Sequence, residues 1–283
     1  MVYDLAIVGG GIAGYTAALA AKNLKLNALW LGERAFGEKV EKAEHVRNFP
    51  AFQGTGRELL AALEAQRESE GVLLTQKRID GVYLTGGHYT LTAGEEQFFA
   101  TCVILATGVQ TNAVAGAEQF LGRGVSYCAV CDGALYRGKE IAVGTYSQKF
   151  AHEVEYLASF ARRVHCFCPV PLSFEAENIV FHQTIIKSVS GGMRVERVES
   201  AEGALPVDGV FFLLESAPPK ALVGGLKTEG ERVTVGRDLS TNLKGLFAAG
   251  DVTGRPYQYV KAAGEGLAAA YSAYEYLKQG KKA

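Results

Sequence analysis

The sequence has no surplus of charge of either sign. Its 29 Lys and Arg stand against 30 Asp and Glu, a formal net charge of −1. That balance excludes a nucleic-acid binder working by bulk electrostatics. Low-complexity tracts are also lacking, and at 48% hydrophobic residues the chain is not disordered. There is no Gly-X-Y period, yet 34 of the 283 residues are glycine, well above the usual ~7%. Glycine in excess without a repeat points to backbone that passes close to something. A leader or span is not indicated either. Leu5 to Ala21 is uncharged, but Asp4 stands where a signal peptide wants Lys or Arg, and glycines interrupt a run short for a membrane span. A cytoplasmic protein with no membrane anchor is expected, long enough for one large domain or two ordinary ones.

Five cysteines cannot form a fully paired disulfide framework. Cys102 lies in a continuous apolar strand, and Cys166 and Cys168 alternate with Phe167 on another, sharing one face; all three read as core thiols. Tyr127-Cys128-Ala-Val-Cys131-Asp132-Gly133 differs. In a reducing compartment its Cys-x-x-Cys spacing is a redox pair or half a zinc site. No second Cys-x-x-Cys or pair of histidines supplies the other zinc ligands, so a redox pair is the better reading, with a structural disulfide as its alternative.

The chain opens as strand (Tyr3 to Val8), glycine turn, helix (Ile12 to Lys22) and strand (Asn27 to Leu31). A helix over about 57–70 and short strands near Val72, Gly81–Thr85 and Tyr89–Ala93 follow, ending in the apolar Cys102 to Leu105. From Gly138 the pattern restarts. Glu140 to Val143 reads as a strand, Phe150, Val154, Leu157 and Ala161 as a helical stripe, and Val164 to Cys168 as the next strand. Two such starts predict an α/β protein with two Rossmann-like, doubly wound domains. The stretch 245–251 and a helix to about Lys278 have no partner strands nearby, so they are expected to return to the first sheet. The second domain is then an insertion over 112–236, within a first domain made of 1–111 and 237–283.

Gly9-Gly-Gly11-Ile12-Ala13-Gly14 fits G-x-G-x-x-G between a strand and a helix, where bare backbone N–H groups and the helix dipole can meet a pyrophosphate. Glu33, just past the second strand, is the candidate ribose partner, although Gly32 occupies the expected spot. Two further segments, Val103-Ile-Leu-Ala106-Thr107-Gly108 and Thr241-Asn-Leu-Lys-Gly-Leu246-Phe-Ala-Ala-Gly250-Asp251, resemble the extra fingerprints of flavoproteins with two dinucleotide domains. That resemblance implies FAD, with Asp251 bonding the ribityl chain.

With the Cys-x-x-Cys added, the chain resembles the low-molecular-weight flavin thioredoxin reductases over nearly its full length. Asn48-Phe-Pro matches that family's Asn-Trp/Phe-Pro beside the flavin, Gly122-Arg-Gly-Val-Ser-Tyr precedes the cysteines, and Gln258 matches the residue opening the last helix. The resemblance implies that Cys131 is the thiol nearer the flavin, that Cys128 attacks the disulfide of thioredoxin, and that Asp132 supplies and takes up protons. It also implies a homodimer.

The second nucleotide site departs from the family. Where Gly-Gly-Gly is wanted after the strand, the chain has Gly144-Thr145-Tyr146-Ser147, and a tyrosine blocks the approach of a pyrophosphate to backbone. The arginines that hold a 2′-phosphate would fall at about Cys168-Pro169-Val170, with no Lys or Arg before Lys187. Losing two charge-assisted contacts costs about 3–6 kcal/mol. NADPH binding is therefore not expected. A plant-type ferredoxin at about −400 mV lies below a thioredoxin dithiol at about −270 mV and can replace it as donor. The chain looks most like the ferredoxin-linked, NADPH-independent branch of the family. A basic docking patch for an acidic carrier would draw on Lys149, Arg162, Arg163, Arg255 and Lys261. A rebuilt nicotinamide site, a non-enzymatic flavin redox sensor and a flavin-dependent thiol oxidase are the competing readings.

Overall fold

Leu5 to Val8 are all buried, as befits a strand covered on both faces, and they form the centre of β1 (Val2–Val8). The computed structural model describes residues 1–36, 40–41, 43–109, 114–174, 176–214, 218–230 and 232–280. Helix α1 (Ile12–Asn23) follows β1, and β2 (Ala28–Gly32) pairs with it in parallel, Val8 opposite Leu31. A small antiparallel pair, β3 (Val46–Phe49) and β4 (Phe52–Gly54), leads to α2 (Gly56–Ser69). Its start is a capping box: Thr55 Oγ1 accepts the Glu58 N–H, and the Glu58 carboxylate accepts the Thr55 N–H. The strand expected near Val72 is β5 (Leu74–Gln76), on the outer side of β2. β6 (Gly81–Thr85), β7 (His88–Ala93) and β8 (Glu96–Leu105) form an antiparallel run, and β8 also lies parallel to β1.

The second unit contains β9 (Val125–Ser126), α3 (Ala129–Asp132), β10 (Glu140–Thr145), α4 (Ala151–Ala158), β11 (Arg163–Phe167) and β12 (Ile179–His182). It continues with β13 (Ser188–Ser190), β14 (Arg197–Ser200), β15 (Gly203–Pro206) and β16 (Gly209–Leu213). Five of these strands make a parallel sheet in the order β12-β11-β10-β16-β9, and β13 to β15 make an antiparallel one. Phe150, Val154, Leu157 and Ala161, the predicted stripe, are all buried in its core.

The chain then returns to the first unit through α5 (Pro219–Leu222), the short ribbon β17 (Thr228–Glu229) and β18 (Arg232–Val233), β19 (Leu246–Ala248) and α6 (Tyr259–Gly280). β19 pairs in parallel with β8, Leu246 opposite Val103, and completes a seven-stranded sheet. α6 packs so closely on α1 that a Cβ at Gly266 would lie 2.2 Å from Ala13 O.

The two compact units are 1–109 with 218–283, and 110–217. The insertion is thus shorter at its far end than the expected 112–236. Residues 218–236 group with the first unit, where Arg232 of β18 packs against the glycine turn after β19: its Cδ would lie 3.0 Å from a Cβ on Gly254. No periodic signal marks so short a ribbon. The boundary expected at 111/112 lies outside the described residues. Among the described residues, no helix is long and apolar enough to cross a membrane.

Candidate functional site

Parallel pairing brings the C-terminal ends of β1, β2, β8 and β19 to one end of the first sheet. Gly9 leaves β1 at φ +126°, and a Cβ there would lie 2.1 Å from Ala106 O, so a side chain is excluded both by conformation and by the strand end beside it. Gly11 is the N-cap of α1. It offers no capping side chain, and the first turn holds no acidic residue. Tyr15 N–H to Gly11 O is the first internal bond, at 2.9 Å, so the N–H groups of Ile12, Ala13 and Gly14 have no partner within the helix. A Cβ on Gly11 would meet nothing within 4 Å. Open space over unpartnered N–H groups at a helix start fits a pyrophosphate. Glu33 sits exposed directly after β2, at this same sheet end.

The other expected flavin residues converge on the same region. Ala106, Thr107 and Gly108 follow β8, and Ala106 N–H bonds Val8 O at 2.7 Å. Gly250, at φ +85°, begins a 3-10 turn after β19, and a Cβ on it would stand 2.8 Å from Ala13 Cβ. This places half-buried Asp251 beside the start of α1. Asn48 of β3 donates to Gln258, at the head of α6, over 2.6 Å. The residues present therefore fit FAD.

The turn from Gly250 to Gly254 is held by Lys261, a residue the sequence suggests for a docking patch, together with Glu265. Lys261 Nζ donates to Gly250 O (2.8 Å), Thr253 Oγ1 (2.7 Å) and Gly254 O (2.7 Å), and lies 3.2 Å from Glu265. Glu265 in turn accepts the Gly250 N–H at 2.8 Å. Lys261 is thus not an open docking charge, because its hydrogen bonds all go to the protein. Arg162 and Arg163 remain exposed, and both pair with Glu140, at 2.8 and 4.0 Å.

In the second unit, Gly144 lies within β10, opposite Phe212 of β16, and not in the turn that follows. A Cβ on Gly144 would stand 3.0 Å from the Phe212 ring and 3.3 Å from Ile186 Cδ1. Thr145 is buried, and Tyr146 is buried enough to push its hydroxyl pKa up. Ser147 Oγ accepts the Lys149 N–H at 3.4 Å, so the helical segment that follows is capped by the chain itself. Cys168, where an arginine would be needed, is fully buried.

Cys128 and Cys131 form a disulfide across α3. Cys128 Sγ accepts the Cys131 N–H at 3.1 Å. Cys131 is exposed and Cys128 half-buried, an order of exposure that does not by itself favour Cys128 as the attacking sulfur. Behind them, Ser126 Oγ donates to Asp132 Oδ2 at 2.6 Å and accepts the Cys128 N–H at 3.1 Å. The sequence carried no sign of this serine's role, because only the bend between β9 and α3 brings it to Asp132. The three remaining cysteines are buried and unpaired. Burial pushes the Cys102 and Cys166 thiols up to about 12, which removes them from thiolate chemistry at neutral pH.

A family model described as pyridine nucleotide-disulphide oxidoreductase matches residues 3–151. The chain belongs to that family. A thioredoxin reductase of Listeria innocua is 30% identical over 306 residues, covering 100% of this chain and 96% of the relative. A solved ferredoxin-flavin thioredoxin reductase from Clostridium acetobutylicum is 34% identical over 98% of both chains, with a TM-score of 0.88. The atypical thioredoxin reductase TRi from Desulfovibrio vulgaris Hildenborough is 28% identical, covers 97% of this chain and 98% of its own, and has a TM-score of 0.73. This member of the family is an FAD-dependent disulfide oxidoreductase of the thioredoxin reductase kind, with Cys128 and Cys131 as its disulfide.

Proposed function

We propose that the enzyme reduces thioredoxin with electrons from a ferredoxin rather than from NADPH. The observation that carries this reading is the stretch Thr145-Tyr146-Ser147 at the end of β10, which carries side chains where a dinucleotide needs bare backbone. Thr145 is buried, Tyr146 is half-buried, and Ser147 already caps the short helical segment that follows. The likeness to a ferredoxin-flavin thioredoxin reductase agrees with it. A ferredoxin at about −400 mV lies ~130 mV below a thioredoxin dithiol, about 6 kcal/mol for two electrons.

FAD would be held by Gly9, Gly11, Ile12, Ala13 and Gly14 at its pyrophosphate, Glu33 at a ribose, Asp251 at the ribityl chain, and Asn48, Gln258, the 106–108 turn and Gly250 around them. Bound there, it would supply the conversion of single-electron arrivals into pairs. The remaining chemistry belongs to the cysteines. Two electrons and two protons open the Cys128–Cys131 bond to a dithiol. Cys128 gives its proton to Asp132 and, as a thiolate that the Cys131 N–H would help to hold, attacks one sulfur of thioredoxin's disulfide; the other leaves as a thiolate and takes that proton from Asp132. Asp132 takes the proton from the Cys131 thiol, whose sulfur then attacks Cys128 Sγ. That restores the enzyme disulfide and releases the second thioredoxin sulfur as a thiolate, which takes the proton back from Asp132.

The unpaired buried cysteines suit a reducing cytoplasm. A homodimer is supported by the exposed Val260, Leu267 and Tyr271, spaced along one face of α6. The deciding experiment is anaerobic reduction of the bound flavin, with reduced ferredoxin and NADPH side by side. Bleaching by ferredoxin alone, followed by thioredoxin reduction, supports the proposal. Rapid bleaching by NADPH refutes it in favour of a rebuilt nicotinamide site.

A further inference from the structure

We infer that Ser126 is a positioning residue for thiol–disulfide exchange, holding the Asp132 carboxylate and the Cys128 backbone in one hydrogen-bonded frame. The inference rests on the roles proposed above for Asp132 and Cys128. Three observations carry it. Ser126 is buried, yet its hydroxyl is spent on the reactive segment: it donates to Asp132 Oδ2 at 2.6 Å and accepts from Cys128 N at 3.1 Å. Its backbone is fixed independently, since β9 pairs with β16 and Ser126 lies opposite Phe211. The hydroxyl therefore projects from a rigid strand to two groups on a turn.

The physical need is clear from the exchange itself. In each turnover a thiol must give up a proton and a leaving thiolate must gain one, so the carboxylate that carries the proton has to stay within reach of the sulfurs. When the disulfide opens, the covalent tie between Cys128 and Cys131 is lost. The Ser126 hydroxyl remains bonded to both the Cys128 N–H and Asp132, and keeps the sulfur and the carboxylate in register through the reduced state. Its hydroxyl donates to Asp132 Oδ2 at 2.6 Å, with the Cys128 carbonyl oxygen as a longer second acceptor at 3.3 Å, and a lone pair receives the Cys128 N–H, so no proton is transferred by the serine itself.

The test starts from enzyme reduced chemically with excess dithiothreitol and then desalted, which removes the electron donor from the question. Oxidation by thioredoxin disulfide is followed for the native enzyme, Ser126→Ala, Ser126→Thr, Asp132→Asn and the double variant Ser126→Ala/Asp132→Asn. The inference expects Ser126→Ala to slow maximal exchange about tenfold, one hydrogen bond's worth, with the half-saturating thioredoxin concentration unchanged and Ser126→Thr recovering most of the rate. It expects no further loss from Ser126→Ala in the Asp132→Asn background, because both changes break one unit. Additive losses, or a native rate in Ser126→Ala beside a slow Asp132→Asn, would overturn it while leaving the role of Asp132 intact. A native rate in Asp132→Asn would instead remove the reading of Asp132 on which it rests.

Discussion

Asn48 and Gln258 share a hydrogen bond of 2.6 Å across 210 residues of chain. It ties β3 to the head of α6. Both residues match the family pattern at separate places in the sequence, and the tertiary structure makes them one contact. A single hydrogen bond of this kind contributes about 0.5–1.5 kcal/mol. Asn48→Ala and Gln258→Ala should each weaken FAD binding about 2- to 10-fold, and together no more than either alone. Flavin fluorescence titration of the apoproteins measures this. Fully additive losses would separate the two residues.

Gly9 and Gly11 should fail in different ways. A Cβ on Gly9 collides with Ala106 O, whereas one on Gly11 meets only open space within the protein. Gly9→Ala is expected to destabilise the apoprotein by about 2–4 kcal/mol. Gly11→Ala should leave the apoprotein's melting temperature unchanged and lose the rise that FAD confers on the native protein. Melting curves with and without FAD check both outcomes.

The cysteines allow a count. After reduction, a thiol reagent applied to the folded enzyme should label Cys128 and Cys131 rapidly, while Cys102, Cys166 and Cys168 react only on unfolding, because burial protects them. The order of attack is read by trapping. Cys131→Ser should accumulate a mixed disulfide between Cys128 and thioredoxin. Accumulation in Cys128→Ser instead would reverse the assignment and agree with the greater exposure of Cys131.

Glu140 ties acid stability to the second unit. Its carboxyl is held below the ordinary carboxylate range, chiefly by a side-chain hydrogen bond with His165 at 2.8 Å, and further by Arg162 and Arg163. A carboxylate with a depressed folded pKa stabilises the fold above its unfolded value near 4.5, and that stability is lost as pH falls through the folded value. Glu140→Gln should therefore be less stable than the native protein at neutral pH. The gap should narrow as pH drops below 4.5. Denaturant titrations at several pH values test the sign, and a gap widening in acid would contradict it.

Much of the fold was legible in contiguous residues. β1, α1 and β2 follow from an apolar run, a glycine turn and a second apolar run; the stripe from Phe150 to Ala161 announces its helix. Such patterns are local, so they survive without knowledge of the chain path. The glycine turns were legible for the same reason, because a missing side chain is a local fact. The ribbon of β17 and β18 was not, being too short to show a period.

What the amino-acid order determined alone was the two α/β starts, the Cys-x-x-Cys, and the substitution of Thr145, Tyr146 and Ser147 where a dinucleotide needs bare backbone. What only the tertiary structure decided was partnership. It turned Lys261 inward to hold the Gly250–Gly254 turn, placed Arg162 and Arg163 beside Glu140, joined Asn48 to Gln258, and set Ser126 against Asp132. A residue type states which bonds it can make, and the path of the backbone decides which group is near enough to receive them.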